Sequence, residues 1–545
     1  MAAEFDFDWI VIGSGFGGSV SALRLTEKGY RVAVLECGRR FRDEDLPRNY
    51  WQLRRMFWAP MLGLKGILRL SVFKDIFILS GSAVGGGSLA YAATLYRAPR
   101  SYFQHPQWRD LADWEARLAP HYDTAERMLG VNEVPFESEG DLILKSIGEH
   151  LGCAHTFKKT RVGIYFGTPG VTVPDPYFGG EGPARTGCHR CGACMTGCPF
   201  GAKNTLVRNY LYFAEKRGAQ VLPERMVTDV RPQGAADGSD GYTVTHERTG
   251  AWWAKDRQTL TARGVIFAAG ALGTNQLLAA CKHAGSLPNI SSRLGFLVRT
   301  NSETMTAVTM PRNDRTHQSV SITGSLFPDA HTHVELVTFG KVADAMSPLF
   351  ALLTGNGTRL TRPFVALGTV IRHPLIFVRR LWPVGWSRHT VIVGLMQSLD
   401  NAIRFRAKRR LFGGVRLATE QDPAKPIPTF FPLANDMAAW LANKTGGVAQ
   451  SFLFEALLNI PTTAHILGGA VIGADADQGV INARQEVFGY RNLLVCDGAA
   501  VPANPGVNPS LTITAMAEAA MGEIAPRSGT SIEINPTVPP IPSSA

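Results

Sequence analysis

The sequence predicts an α/β fold in which one sheet gathers strands from widely separated parts of the chain. Three observations predict it. The chain opens with strand, glycine-rich turn, helix and strand in succession, and further glycine-rich junctions return at Gly81, Gly270 and Gly498. Its 545 residues exceed an ordinary single domain and suit a large α/β protein of two interleaved domains. Hydrophobic residues make up 45% and charged residues 19%, which excludes intrinsic disorder and permits a large core.

The first element is the most informative. Residues 9–12 are a short apolar strand, Gly13-Ser-Gly15-Phe-Gly17-Gly18 follows, and SVSALRLTEKGY has helical spacing. A second strand, RVAVLE, ends at Glu36, about 20 residues beyond the glycines, as a Rossmann-like βαβ dinucleotide site requires. Gly13 permits the tight turn, Gly15 lets the backbone approach a pyrophosphate, and Gly18 lets helix pack on strand. The helix N-terminus offers free N–H groups to phosphates, and Glu36 can accept bonds from ribose hydroxyls. FAD and NAD both use this arrangement.

Three later segments bear on that choice. GSAVGGGS contains Gly81, Gly85, Gly86 and Ser88. GVIFAAGALGTNQLL runs from a strand through Gly270 into a helix, and RNLLVCDG ends a strand at Asp497-Gly498 before an Ala-rich helix. Each alone reads equally well as an ordinary turn between strand and helix. Together, in this order, they suggest a sheet returning repeatedly to one extended cofactor.

These motifs resemble the glucose–methanol–choline (GMC) flavin oxidoreductases, most of all their cholesterol oxidase branch. The likeness runs from Asp8 to about Ile524 and includes GSAVGGGSL, AAGALGTNQLL, TTAHILGGAVIG and PGVNPSLTITA. It implies FAD as cofactor, held by Gly13, Gly15, Gly18, Glu36, Gly81, Gly85, Gly86, Ser88, Val227, Gly270, Asp497 and Gly498. It implies an FAD-binding domain of discontinuous segments, 1–45, 76–104, 199–300 and 462–526, with an inserted α+β substrate domain, 105–187 and 301–461. The remaining segments are an insertion at 46–75, a cysteine cluster at 188–198 and a tail at 527–545. His465 and Asn508 take the positions of the family's catalytic pair, His465 as base or orienter of a water and Asn508 as donor to the alcohol. The sequence departs from the pattern at Ile466, where the family has Pro, and at Tyr91, where Asn is common. Sterol oxidases also place a Glu in the substrate cavity; Glu335 is the candidate, although it reads more readily as an ordinary strand residue than as a catalyst.

The net charge, 56 − 45 = +11, is concentrated. Residues 48–74 hold Arg48, Arg54, Arg55, Lys65, Arg69 and Lys74 with no acid, among many apolar residues. Residues 345–399 hold Arg359, Arg362, Arg372, Arg379, Arg380 and Arg388, again with no acid. No nucleic-acid motif accompanies them, so the readings are an anionic membrane surface or lids over a cavity with Arg at the rim. The acidic start MAAEFDFD lacks the basic region of a signal peptide and no stretch reads as a membrane span, so a cytoplasmic protein, peripheral at most, is expected. The tail after Arg527 is rich in Ser, Pro and Thr and is expected to lack fixed structure.

Half of the 8 cysteines follow C-x2-C-x2-C-x3-C-P: Cys188, Cys191, Cys194 and Cys198. The spacing is that of bacterial ferredoxins, which predicts an iron–sulfur cluster; structural zinc and free thiols are the alternatives. The sequence thus predicts FAD-dependent oxidation of a hydrophobic secondary alcohol, foremost a 3β-hydroxysterol. Its rivals are a long-chain or terpenoid alcohol dehydrogenase and a flavin/iron–sulfur electron carrier. Oxygen, a dye, a quinone or a protein would accept the electrons.

Overall fold

The structure is a computed structural model describing residues 5–311, 315–410 and 413–529; most of the tail lies outside the described residues. Its central sheet has seven strands. Gln220–Leu222, Val32–Leu35, Phe7–Ile12 and Gln258–Phe267 run parallel in that order, and Leu493–Val495 also pairs in parallel with Gln258–Phe267. Tyr242–Arg248 and Arg225–Pro232 extend the sheet antiparallel. One strand serves both halves because it is long: residues 258–262 pair antiparallel, while Val265–Phe267 align with Leu493–Val495. The parallel strands are buried on both faces, which explains their unbroken apolar runs IVI and VAVL.

Helices Phe16–Glu27 and Gly270–Ala284 pack on this sheet, and Ser510–Gly522, buried almost throughout, packs on Phe16–Glu27 and on Trp114–Met128. Buried polar contacts join separate segments there. Glu518 accepts from Arg24 Nε at 2.7 Å and from Tyr210 Oη at 2.6 Å, and Tyr122 Oη meets Thr512 Oγ1 at 2.8 Å. Removing one partner of the Arg24–Glu518 ion pair is expected to cost about 3–5 kcal/mol, because the other charge is left uncompensated.

A second sheet of seven strands is antiparallel in all its pairings: Phe350–Leu352, Val448–Phe452, Thr304–Thr309, Thr390–Gln397, Thr332–Val337, Gly324–Asp329 and Lys158–Lys159. Helices Pro432–Thr445 and Glu139–His150 pack on one face, meeting Val308, Val334, Leu336, Val391 and Val393. Strand side chains alternate, so the residues between these point the other way. In THVELV that sends His333 and Glu335 to the face opposite the helices.

Candidate active site

The glycine loops meet backbone to backbone. A Cβ added at Gly13 would lie 2.3 Å from Ala268 O, one at Gly17 1.5 Å from Cys496 O, and one at Gly18 2.0 Å from Gly13 O. Gly86, at φ +53°, would place a Cβ 2.6 Å from Gly15 Cα, and a Cβ at Gly81 would meet Gly87 Cα at 2.6 Å. The N-terminal, second, third and C-terminal segments therefore converge at the ends of the parallel strands. Gly15 differs from its neighbours: a Cβ there would meet nothing within 4 Å. The space beside Gly15 is free of protein, at the N-terminus of a helix whose cap makes no side-chain hydrogen bond. That is the room a pyrophosphate needs.

The polar residues expected at the cofactor hold this cradle together. Glu36 Oε2 accepts from Ser14 N at 3.0 Å and Ser14 Oγ at 2.6 Å, and Oε1 from Gly38 N at 2.7 Å. Ser14 Oγ in turn accepts from Gly85 N at 3.0 Å, while Ser88 Oγ donates to Gly85 O at 2.7 Å. Asp497 accepts from Thr274 Oγ1 at 2.5 Å and from Ala499 N at 2.7 Å; burial pushes its carboxyl up to about 6. Gly498 opens the turn that follows, and Gly270, at φ +74°, starts its helix beside open space. Val227 is half-buried in the strand whose Arg225 N–H donates to Glu36 O at 2.8 Å. The residues present fit FAD.

His465 lies between the short strands Thr462–Thr463 and Leu467–Gly469. Its Nδ1 is 2.6 Å from Glu303 Oε2. Glu303 Oε1 also accepts from the backbone N–H groups of Ala464 and His465. Burial pushes the imidazole pKa down, but the Glu303 carboxylate outweighs it and the net shift is upward. With Nδ1–H donated to Glu303, Nε2 is the nitrogen left for a substrate.

Glu303 follows two residues in the left-handed region, Asn301 at φ +58° and Ser302 at φ +46°. This turn is fixed from the C-terminal segment. Asn301 N–H donates to Asn504 Oδ1 at 2.8 Å, Asn301 Nδ2 to Val507 O at 3.0 Å, and Gly506 N–H to Asn301 Oδ1 at 2.8 Å. The loop carrying Asn508 thereby positions the carboxylate that holds His465.

Asn508 Nδ2 lies 3.5 Å from Glu335 Oε2. Burial pushes the Glu335 carboxyl up to about 7 and the neighbouring His333 imidazole down to about 3. Asn508 Oδ1, Glu335 Oε1 and both ring nitrogens of His333 are buried without a hydrogen-bond partner, and His333 Nε2 lies 3.6 Å from Glu335 Oε1. Such atoms are rare in folded proteins, and a cluster of them marks a place that a ligand or water completes. The structure thus joins His465, Asn508 and Glu335, and adds Glu303 and His333, which the sequence reading missed. Glu303 stands in a buried polar run, TNSE, that matches no motif; alternation in THVELV was the available signal for His333.

The four clustered cysteines line one cavity of about 10 Å³, together with Lys203 and Ser319. That is room for about one water. Lys203 Nζ donates to the carbonyls of Leu89, Tyr91 and Cys194 at 2.7–2.9 Å, tying this loop to the Gly81–Ser88 segment. Among the described residues, no three His, Cys, Asp or Glu side chains are grouped to hold a metal ion. The expected iron–sulfur cluster therefore gains no support.

Comparison with known proteins agrees with this geometry. The FAD binding domain family matches residues 8–44, and GMC oxidoreductase families match 184–294 and 413–517. A cholesterol oxidase of Mycobacterium tuberculosis is 49% identical over 529 residues, covering 94% of this chain and 90% of that protein. A cholesterol oxidase of Acinetobacter baumannii is 46% identical, covering 96% and 95%. A long-chain-alcohol oxidase of Arabidopsis thaliana is 24% identical, covering 94% and 66%. The crystal structure of pyridoxine 4-oxidase from Mesorbium loti shares the fold at a TM-score of 0.61 and 13% identity, over 94% of this chain and 98% of that one. The chain belongs to the GMC oxidoreductase family and is an FAD-dependent oxidoreductase acting on CH–OH groups.

Proposed function

We propose that the protein oxidises the 3β-hydroxyl of a sterol to the ketone. The observation that carries this reading is the buried polar cluster of Asn508, Glu335 and His333, with atoms left without hydrogen bonds, beside the Glu303–His465 pair. The names of its relatives at 46–49% identity support the sterol as substrate class. Bound in the cradle, FAD supplies the hydride acceptor.

His465 Nε2 takes the hydroxyl proton, and Glu303 behind it stabilises the imidazolium that results. Asn508 orients the alcohol oxygen. Glu335, close to half-protonated near neutrality, takes up or releases a proton within the cavity. A water-insoluble alcohol reaches such a site from a bilayer, so a membrane surface is the proposed source of substrate.

Anaerobic mixing with sterols and with fatty alcohols, followed by flavin bleaching, tests the reading. Sterols are expected to bleach the flavin fastest. Faster bleaching by fatty alcohols would reassign the substrate, and no bleaching by any alcohol would leave an electron carrier. Oxygen is the proposed acceptor, because the relatives at 46–49% identity are named as oxidases. Iron and sulfide in proportion to FAD in anaerobically purified protein would restore the cluster and reverse that choice.

A further inference from the structure

The two basic apolar stretches behave differently. In residues 48–74 most cations are engaged within the protein: Lys65 pairs with Glu224, Arg55 donates to Glu44 O at 3.1 Å, and the Arg69 guanidinium lies 4.9 Å from the Trp58 ring. Met56 and Ile67 in the same stretch are fully buried. Most of its cations are thus held within the protein, although Trp51, Leu53, Met61, Leu62, Leu70 and Val72 of the same stretch are exposed.

Residues 359–384 form two short helices, Arg362–Arg372 and Pro374–Arg380, turned the other way round. The first helix buries Arg362 and Ala366 and presents its apolar stripe to solvent. Phe364, Leu367 and Ile371, spaced as one helical face, are 73%, 54% and 69% exposed; Leu360 before the helix and Leu375 and Trp382 after it continue the surface at 80%, 83% and 72%. A solvent-facing stripe of this size is not how a helix packs in a water-soluble surface. Lids that close inward would bury these side chains rather than Arg362.

Firm anchors hold the pair. Arg362 Nη1 donates to Thr429 O at 2.5 Å and Asn459 Oδ1 at 2.8 Å, and Arg359 Nε to Leu458 O at 3.4 Å. Helix Leu453–Leu458, which the first helix packs against, carries Glu455; that carboxylate accepts from Thr304 Oγ1 at 2.7 Å, next to Glu303. The exposed surface is therefore attached to the segment that leads into His465.

We propose that this helical pair docks the protein on an anionic lipid bilayer, lying in its interface. Charge selects that occupant. Arg372 and Arg379 are exposed, and no Asp or Glu occurs from residue 345 to 399. A second copy of the same surface would set like charges against each other, whereas anionic headgroups neutralise them while the acyl boundary takes the apolar stripe. Among the described residues no helix is long and apolar enough to cross a membrane, which fits a helix pair lying on the surface. The proposal deepens the reading of a membrane as substrate source, but docking itself requires no sterol.

Flotation of the FAD-loaded full chain with sterol-free vesicles tests it. Vesicles of phosphatidylcholine mixed with phosphatidylglycerol are expected to bind the protein at least roughly tenfold better than phosphatidylcholine alone, with binding weakened by salt. The double variant Phe364→Ser, Trp382→Ser should lose at least roughly tenfold in binding, with flavin content, melting temperature and turnover of a detergent-solubilised alcohol unchanged. Arg372→Gln with Arg379→Gln should abolish the preference for anionic vesicles. Equal binding to both vesicle types, or wild-type binding by the Ser variant, would overturn the proposal. So would self-association in sedimentation velocity that the Ser variant abolishes without any vesicle binding, because the face would then join protein copies. Because the vesicles hold no sterol, failure here leaves the oxidation chemistry untouched.

Discussion

The pH behaviour of His465 follows from its contact with Glu303. The carboxylate raises the imidazole pKa above its ordinary 6.5, and proton abstraction needs Nε2 free. Flavin reduction should therefore accelerate as pH rises through a value above 6.5. Glu303→Gln removes the opposing charge and leaves burial, so the limb should move to lower pH; an unmoved limb in anaerobic stopped-flow would dissociate the two residues. His465→Ala should slow flavin reduction by roughly 10²–10⁴ with FAD still bound. Near-normal kinetics in that variant would remove His465 from the reaction. His465 and Asn508 were legible because each sits in a segment that resembles a known motif. Glu303 was not, because 162 residues separate it from its histidine and only the fold brings them together. Glu335 was legible as a candidate only; what marks it out is its direction in the sheet.

At the scale of the element, the glycines of the first loop separate into two kinds. A side chain at Gly15 enters free space, so Gly15→Val should fold with a near-normal melting temperature of the apoprotein yet retain no FAD. A side chain at Gly17 collides with Cys496 O, so Gly17→Val should forfeit stability as well, by roughly 3 kcal/mol from overpacking. Urea denaturation beside flavin absorbance distinguishes the two, and equal stability of both variants would refute the assignment. The order of the glycine loops in the sequence predicted that they share a cofactor. It did not reveal that Gly17 packs on the C-terminal strand, because spacing carries no information about which backbone a glycine meets. The cysteine spacing matches a ferredoxin run, but among the described residues no group of three metal-ligating side chains supports a cluster there. In residues 359–384 the composition was plain, but not that the apolar stripe faces outward, since Arg and Leu at helical spacing suit either orientation.

At the scale of the whole molecule, the α/β class and the gathering of distant segments were legible, whereas the second sheet was known only through resemblance. Its strands are short and carry no junction motif, so nothing local announces their pairing. The acceptor belongs to this scale too: reduced enzyme mixed with oxygen or with a soluble quinone should reoxidise faster with oxygen, and the reverse ranking would overturn the oxidase reading. The shared strand Gln258–Phe267 has a consequence for how the protein is made. Its parallel partner, Leu493–Val495, leaves the ribosome last among the strands of that sheet. At about 5–20 residues per second, roughly half a minute to a minute and a half separates it from the first strand. From their own synthesis until then, Val265, Ile266 and Phe267 lack a neighbour on one side, and Gly17 lacks the backbone it packs on. Capture of the flavin is then the closing event of biogenesis, and nascent chains arrested before residue 490 should emerge colourless however much FAD surrounds them.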